Sequence, residues 1–261
     1  MVGTLDTGGA TTGLLIVSGG NELRSGPWCS QAQIAARVAG AGFPVFRFDR
    51  RGVGDSDGPN GGFESAGPDI AAAIAAFRAH VPTLKRIVAF GNCDAASALM
   101  LAQGLGCDAL VLANPWTFDP LPEPSDAATE APASAPMPPA ALRAHYLRRL
   151  TDPRALWRLL TGKVALGKLT SSLAEAVQPD EPRSALAARM AEGLAQFGGS
   201  ATILIADRDR TAQTFLSNWD SDDSRLRICP GASHSFVEPQ AQIWLQGQIL
   251  AALRGSDSKA R

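Results

Sequence analysis

Short apolar runs alternate along the chain with stretches in which apolar residues recur at helical spacing. Leu14-Leu15-Ile16-Val17 is the first run, and it stops at Ser18-Gly19-Gly20. Residues 30 to 40 have helical periodicity, and Phe43 to Phe48 reads as a strand ending on Asp49-Arg50-Arg51-Gly52. A helix is expected over Asp69 to Ala79, a strand over 86 to 90, a helix over 94 to 104 and a strand over Ala109 to Ala113. Strands that are apolar at consecutive positions need cover on both faces, and helices between them supply it. The pattern therefore predicts a mainly parallel sheet flanked by helices.

The alternation breaks after residue 115. Residues 119–139 hold seven prolines among alanines and acidic residues, with no strand signal, so a loop or mobile segment is expected there. Helical periodicity returns at 140–150, 153–160 and 182–197. Strand and helix signals resume at Ala201-Thr202-Ile203-Leu204-Ile205 and Leu226-Arg227-Ile228, and an amphipathic helix runs from Gln240 to Leu253. The organisation this predicts is a core of 1–115 and 201–261, interrupted by a mostly helical cap of 116–200 with a mobile segment at 119–139.

Composition narrows the function classes. A chain of 261 residues, 45% of them hydrophobic, can bury one full core. Its 24 basic and 25 acidic residues nearly cancel, and no basic stripe points to nucleic acid. No apolar run approaches the roughly 20 residues that span a bilayer, and the first residues lack a secretory pattern, so a cytoplasmic protein is expected. The four cysteines (29, 93, 107, 229) form no CxxC pair and the three histidines (80, 145, 234) are scattered, which argues against a metal site. No GxGxxG or Walker pattern suggests a cofactor. Cys107 and Cys229 flank apolar strands and read as buried fillers, and His80 and His145 read as surface residues.

The chemistry concentrates at "FGNCDAAS", residues 90 to 97, a strand-to-helix turn of small residues. Such a turn lifts a nucleophile above the sheet edge in the α/β-hydrolases, with nucleophile, acid and base in that chain order. Here Cys93 occupies the turn, an aspartate follows the strand at 201–205, and His234 lies in "PGASHSF" before the last helix. A helix N-terminus beneath Cys93 favours thiolate, although the Asp94 charge opposes it. His234 would move the proton, and an aspartate would orient it. In "IADRDRTA" both Asp207 and Asp209 compete for that role. The spacing favours Asp209, three residues beyond Ala206, because Asp207 follows the strand too closely and has Arg208 and Arg210 as ion-pair partners. Backbone N–H groups of Gly20 or Asn21, in the turn after the first apolar strand, and of Asp94 could hold an oxyanion.

The segment "FPVFRFDRRGVGDSDG" (43–58) resembles α/β-hydrolases of the serine-aminopeptidase-like and lysophospholipase-like group. Together with "IVSGGNELRSG" and "GNCDAAS" it is more specifically similar to the exosortase A system-associated hydrolases of type 1. "DRDRTAQTF" (207–215) and "ASHSF" (232–236) extend the likeness, the cap lies outside it, and Trp28-Cys29 departs from it. The resemblance implies an α/β-hydrolase fold with the cap inserted after the sixth-strand position, a Cys93, Asp209, His234 triad, and a setting in exopolysaccharide production and protein sorting. The activity expected is hydrolysis of a small acyl ester or thioester by a cysteine-dependent enzyme without cofactor. The alternatives are acyl transfer through an acyl-thioenzyme, and a binding module that keeps only the pocket.

Overall fold

The computed structural model describes residues 1–118 and 184–255. The expected mobile segment and the helices expected at 140–150 and 153–160 lie outside these residues. Among the described residues the strands are β1 (Gly3–Asp6), β2 (Thr12–Val17), β3 (Val45–Phe48), β4 (Arg86–Asn92), β5 (Ala109–Ala113), β6 (Ser200–Ala206) and β7 (Leu226–Cys229). They form one sheet in the order β1-β3-β2-β4-β5-β6-β7, parallel except for β1, which pairs antiparallel with β3 at the edge.

Six α-helices among the described residues flank it: α1 (Ser30–Gly40), α2 (Gly67–His80), α3 (Asp94–Leu101), α4 (Ala185–Gln196), α5 (Arg210–Ser217) and α6 (Pro239–Arg254). The pleat explains the uninterrupted apolar strands. Leu14 and Ile16 point into one core with Val38 of α1 and Leu245 and Ile249 of α6. Leu15 and Val17 point into the other with Phe77 of α2, Leu99 of α3, Met190 of α4 and Phe215 of α5. At about 1.5–3 kcal/mol for each fully buried large aliphatic or phenylalanine side chain, these two cores dominate the stability of the sheet.

Two elements differ from the sequence expectation. β1 carries no apolar run and owes its place to backbone pairing with β3. Residues 210–217, to which the sequence pattern assigned no element, form α5, and the Asp209 carboxylate caps it by accepting from the Thr211 and Ala212 N–H groups. α4, which falls inside the expected cap, packs against α3 and shares its core with the sheet. The stretch between β5 and β6 therefore opens at the C-terminal edge of one strand and returns through a flanking helix to the next.

Candidate active site

β4 reaches the C-terminal edge of the sheet at Asn92, and the chain turns through Cys93 into α3. Cys93 has φ 62° and ψ −129°, a conformation that costs a side-chain-bearing residue about 1–3 kcal/mol. Its surroundings hold it there. The Cys93 N–H donates to the Ala113 carbonyl at 2.9 Å, and the Cys93 carbonyl accepts from the Ala96 N–H at 3.1 Å. Gly91 lets α3 cross the strand closely, since a Cβ there would lie 2.8 Å from the Ala95 carbonyl carbon. The thiol is half-buried at this edge. Cys107 and Cys229 are buried, and burial pushes the Cys107 thiol up to about 12 and raises that of Cys229.

His234 and Asp209 come from loops at the same edge. Nδ1 of His234 lies 2.9 Å from Oδ2 of Asp209, a buried carboxylate. The cap that starts α5 thus also fixes this carboxylate, because the Thr211 and Ala212 N–H groups grip its two oxygens at 3.3 and 3.0 Å. Asp207 faces away, and its carboxylate accepts from the Gly231 N–H at 2.7 Å rather than pairing with Arg208 or Arg210. Burial would lower the pKa of His234. The hydrogen bond to Asp209 and the interaction with the Cys93 sulfur outweigh burial and raise it to about 10.

The turn after β2 lies against the elbow. A Cβ on Gly19 would sit 2.5 Å from Oδ1 of Asp94 and 2.9 Å from the Asn92 carbonyl, so only glycine permits this approach. The Gly20 N–H donates to both carboxylate oxygens of Asp94, at 2.7 and 2.8 Å, and the buried Arg50 guanidinium donates to the Gly20 carbonyl. Asn21 accepts a side-chain hydrogen bond from Asn60 at 2.7 Å. The Asp94 N–H occupies the first position of α3, where an amide has no acceptor within the helix. Burial raises the Asp94 carboxyl pKa, with Arg50 and His234 pulling the other way.

Three residues at this edge were not singled out by the sequence. Asn92 and the fully buried Asn114 both donate to the main-chain carbonyl of His234, at 3.2 and 3.0 Å. Asn114 also donates to Asn92 at 3.1 Å and accepts from the Ala206 N–H at 2.8 Å, tying the ends of β4 and β6 to the His234 loop. An asparagine at each of two neighbouring strand ends was the available signal, but in sequence it reads as turn chemistry. Glu22 faces His234 and Asp94, and burial raises its pKa. Trp28 and Cys29, by contrast, are exposed, both at positive φ in the turn leading into α1.

Among the described residues no group of His, Cys, Asp and Glu is placed to hold a metal ion, and no helix is long and apolar enough to cross a membrane. No curated protein sequence matches the chain. Its fold is similar to that of Est1E from Butyrivibrio proteoclasticus, solved with ferulic acid, at a TM-score of 0.60 and 14% identity, covering 97% of this chain and 95% of that one. It is also similar to an esterase of Pyrococcus furiosus (0.54, 14%, covering 95% and 82%). A serine hydrolase without a lid from Xanthomonas campestris gives 0.54 and 14%, covering 99% and 90%. A family model described as the alpha/beta hydrolase family matches residues 14–243, and with the elbow at the edge of this sheet the chain belongs to that family.

Proposed function

We propose that the chain is a cysteine-dependent acyl hydrolase acting on carboxylic esters or thioesters, with Cys93 as nucleophile, His234 as proton carrier and Asp209 as the orienting acid. One observation carries this reading: the Asp209–His234 hydrogen bond of 2.9 Å is formed beside a cysteine held at positive φ on the elbow. A ring whose pKa stands near 10 readily takes the proton that Cys93 gives up. The sulfur then attacks the acyl carbon, the C–S bond forms and the carbonyl π pair moves onto oxygen. Collapse restores the carbonyl and expels the alcohol or thiol oxygen or sulfur, which leaves with the proton from His234. Water repeats the sequence on the acyl-enzyme and releases the acid. Donors for the oxyanion come from the Asp94 N–H and from the turn at Gly20 and Asn21.

The esterases among the similar folds support an ester as substrate. The likeness of "GNCDAAS" and "IVSGGNELRSG" to exosortase A system-associated hydrolases of type 1 supports a role beside exopolysaccharide production, in the cytoplasm. A core of 1–115 and 201–261 with an insert at 116–200 belongs to the same proposal. The test is intact-mass measurement after exposure to a panel of acyl esters and acyl thioesters. An added acyl mass that maps to Cys93 and is absent from Cys93→Ala is expected. Full turnover by Cys93→Ala would end the proposal, and transfer of the acyl group to an added alcohol in preference to water would change it to acyl transfer.

A further inference from the structure

The Gly20 amide stands where the turn after β2 would offer a donor to an acyl oxyanion, yet it is already in use. An N–H has one hydrogen, and both oxygens of Asp94 share it at 2.7 and 2.8 Å. A third acceptor has no proton left to receive. The arrangement is built rather than incidental. Glycine at 19 clears the path of the carboxylate, since a Cβ there would come within 2.5 Å of Oδ1. Arg50 holds the next peptide of the same turn through the Gly20 carbonyl. The Asp94 side chain is half-buried, and the groups that act on its charge are Arg50, His234, Glu22 and the amides of Gly20 and Ala95.

We propose that the Asp94 side chain is the resting occupant of the oxyanion pocket, and that acyl chemistry at Cys93 is held back until this carboxylate gives up the Gly20 N–H. The proposal rests on Cys93 being the nucleophile. When sulfur adds to the acyl carbon, the π pair shifts onto the carbonyl oxygen, and that negative oxygen needs the donor which Asp94 is using. It also forms next to a carboxylate, and like charges at close range repel. Asp94 therefore restricts the reaction to substrates whose binding displaces or neutralises its side chain. Simple activated esters, which offer nothing to draw Asp94 away, are acylated slowly.

Two reagents separate this effect from the reactivity of the thiol. Iodoacetamide is attacked at a saturated carbon and expels iodide, so no oxyanion develops. p-Nitrophenyl acetate acylates the same sulfur through an oxyanion. The ratio of the two rate constants at Cys93 therefore cancels the reactivity of the thiol and reports how the site receives the oxyanion. In a Cys29→Ser background, so that alkylation is read at one reactive thiol, the ratio is measured for the protein and for Asp94→Ala and Asp94→Asn. We expect Asp94→Ala, which frees the Gly20 N–H, to raise the ratio about tenfold, less than the 10²–10³ that one oxyanion donor supplies when fully preorganised, and Asp94→Asn, whose amide oxygen still accepts from Gly20 but carries no charge, to raise it by a smaller factor. The near-isosteric Asp94→Asn carries the test if Asp94→Ala loses its fold by circular dichroism. A ratio that stays level or falls in Asp94→Asn would overturn the proposal, because Asp94 would then be a strut that positions the turn. A Cys93 inert to both reagents in the unsubstituted protein would instead overturn the nucleophile assignment, and this proposal with it.

Discussion

His234 is held by charge as much as by geometry. Its ring is buried enough to disfavour the proton, yet Asp209 and the Cys93 sulfur raise its pKa to about 10. A histidine with ordinary surroundings titrates near 6.5. The folded state therefore binds the proton more tightly than the unfolded state. The stabilisation this gives is complete below about pH 6.5 and is lost as the pH climbs toward 10. The gap in unfolding free energy between the protein and His234→Gln, measured in urea at a series of pH values, should narrow across that window and be smallest at its upper end. A gap that stays constant from pH 6 to 10 would mean that Asp209 orients the ring without raising its proton affinity. Asp209→Asn should shrink the pH dependence, because the largest of the interactions that raise the His234 pKa is the hydrogen bond to this carboxylate. Asp207→Asn should leave it intact, since that side chain serves Gly231.

At the scale of elements, the site is a meeting of strand ends, and Asn114 joins most of them. It sits fully buried at positive φ just beyond β5, accepts from the Ala206 N–H at the end of β6, and donates to Asn92 at the end of β4 and to the His234 carbonyl. Asn114→Ala removes a partner from the buried Ala206 amide and from a carbonyl that keeps only Asn92, so it should cost about 2–4 kcal/mol of stability. Asn92→Ala should cost less, because Asn92 is only half-buried and the His234 carbonyl keeps Asn114. Equal losses in urea titrations of the two variants would show that the two asparagines act as one inseparable unit. None of this clamp was legible in the sequence, where "FGNC" draws attention to Cys93 rather than Asn92 and Asn114 is one polar residue after an apolar run. The strands themselves were legible, because burial on both faces writes them as unbroken apolar runs. β1 was not, since an edge strand held by backbone pairing needs no such run. α5 was missed because its signal is one capping aspartate, Asp209, which the sequence assigned to chemistry. The three-residue offset that favoured Asp209 over Asp207 is the offset that lets its carboxylate cap a helix and face His234 together. The side chain of Asp94 could not be placed from the sequence, because the turn it reaches lies 74 residues away along the chain.

Across the whole molecule, the two halves of the site depend on one sheet. Cys93 follows β4, whereas Asp209 and His234 follow β6 and β7, and β5 joins them by parallel pairing with both neighbours. The His234 loop is anchored from below as well. Phe236 is buried at positive φ, stacks on Trp244 of α6 with ring centroids 6.2 Å apart, and shares a core with Leu245, Ile249 and the strand residues Leu14 and Val88. Two cores that meet through a common sheet should unfold together, so the reactivity of Cys93 and the helical circular dichroism should be lost in one coincident transition in urea. Phe236→Ala tests how tightly His234 is bound to that transition. Emptying a buried phenylalanine site should cost about 3–5 kcal/mol. It should also move both transitions to lower urea by the same amount, because the side chain belongs to the common core. If instead the alkylation rate of the thiol changed well below the urea concentration at which the helices melt, the His234 loop would be a separately melting unit. The placement of His234 would then rest on the local contacts of Asn92, Asn114 and Asp209 rather than on the core beneath them.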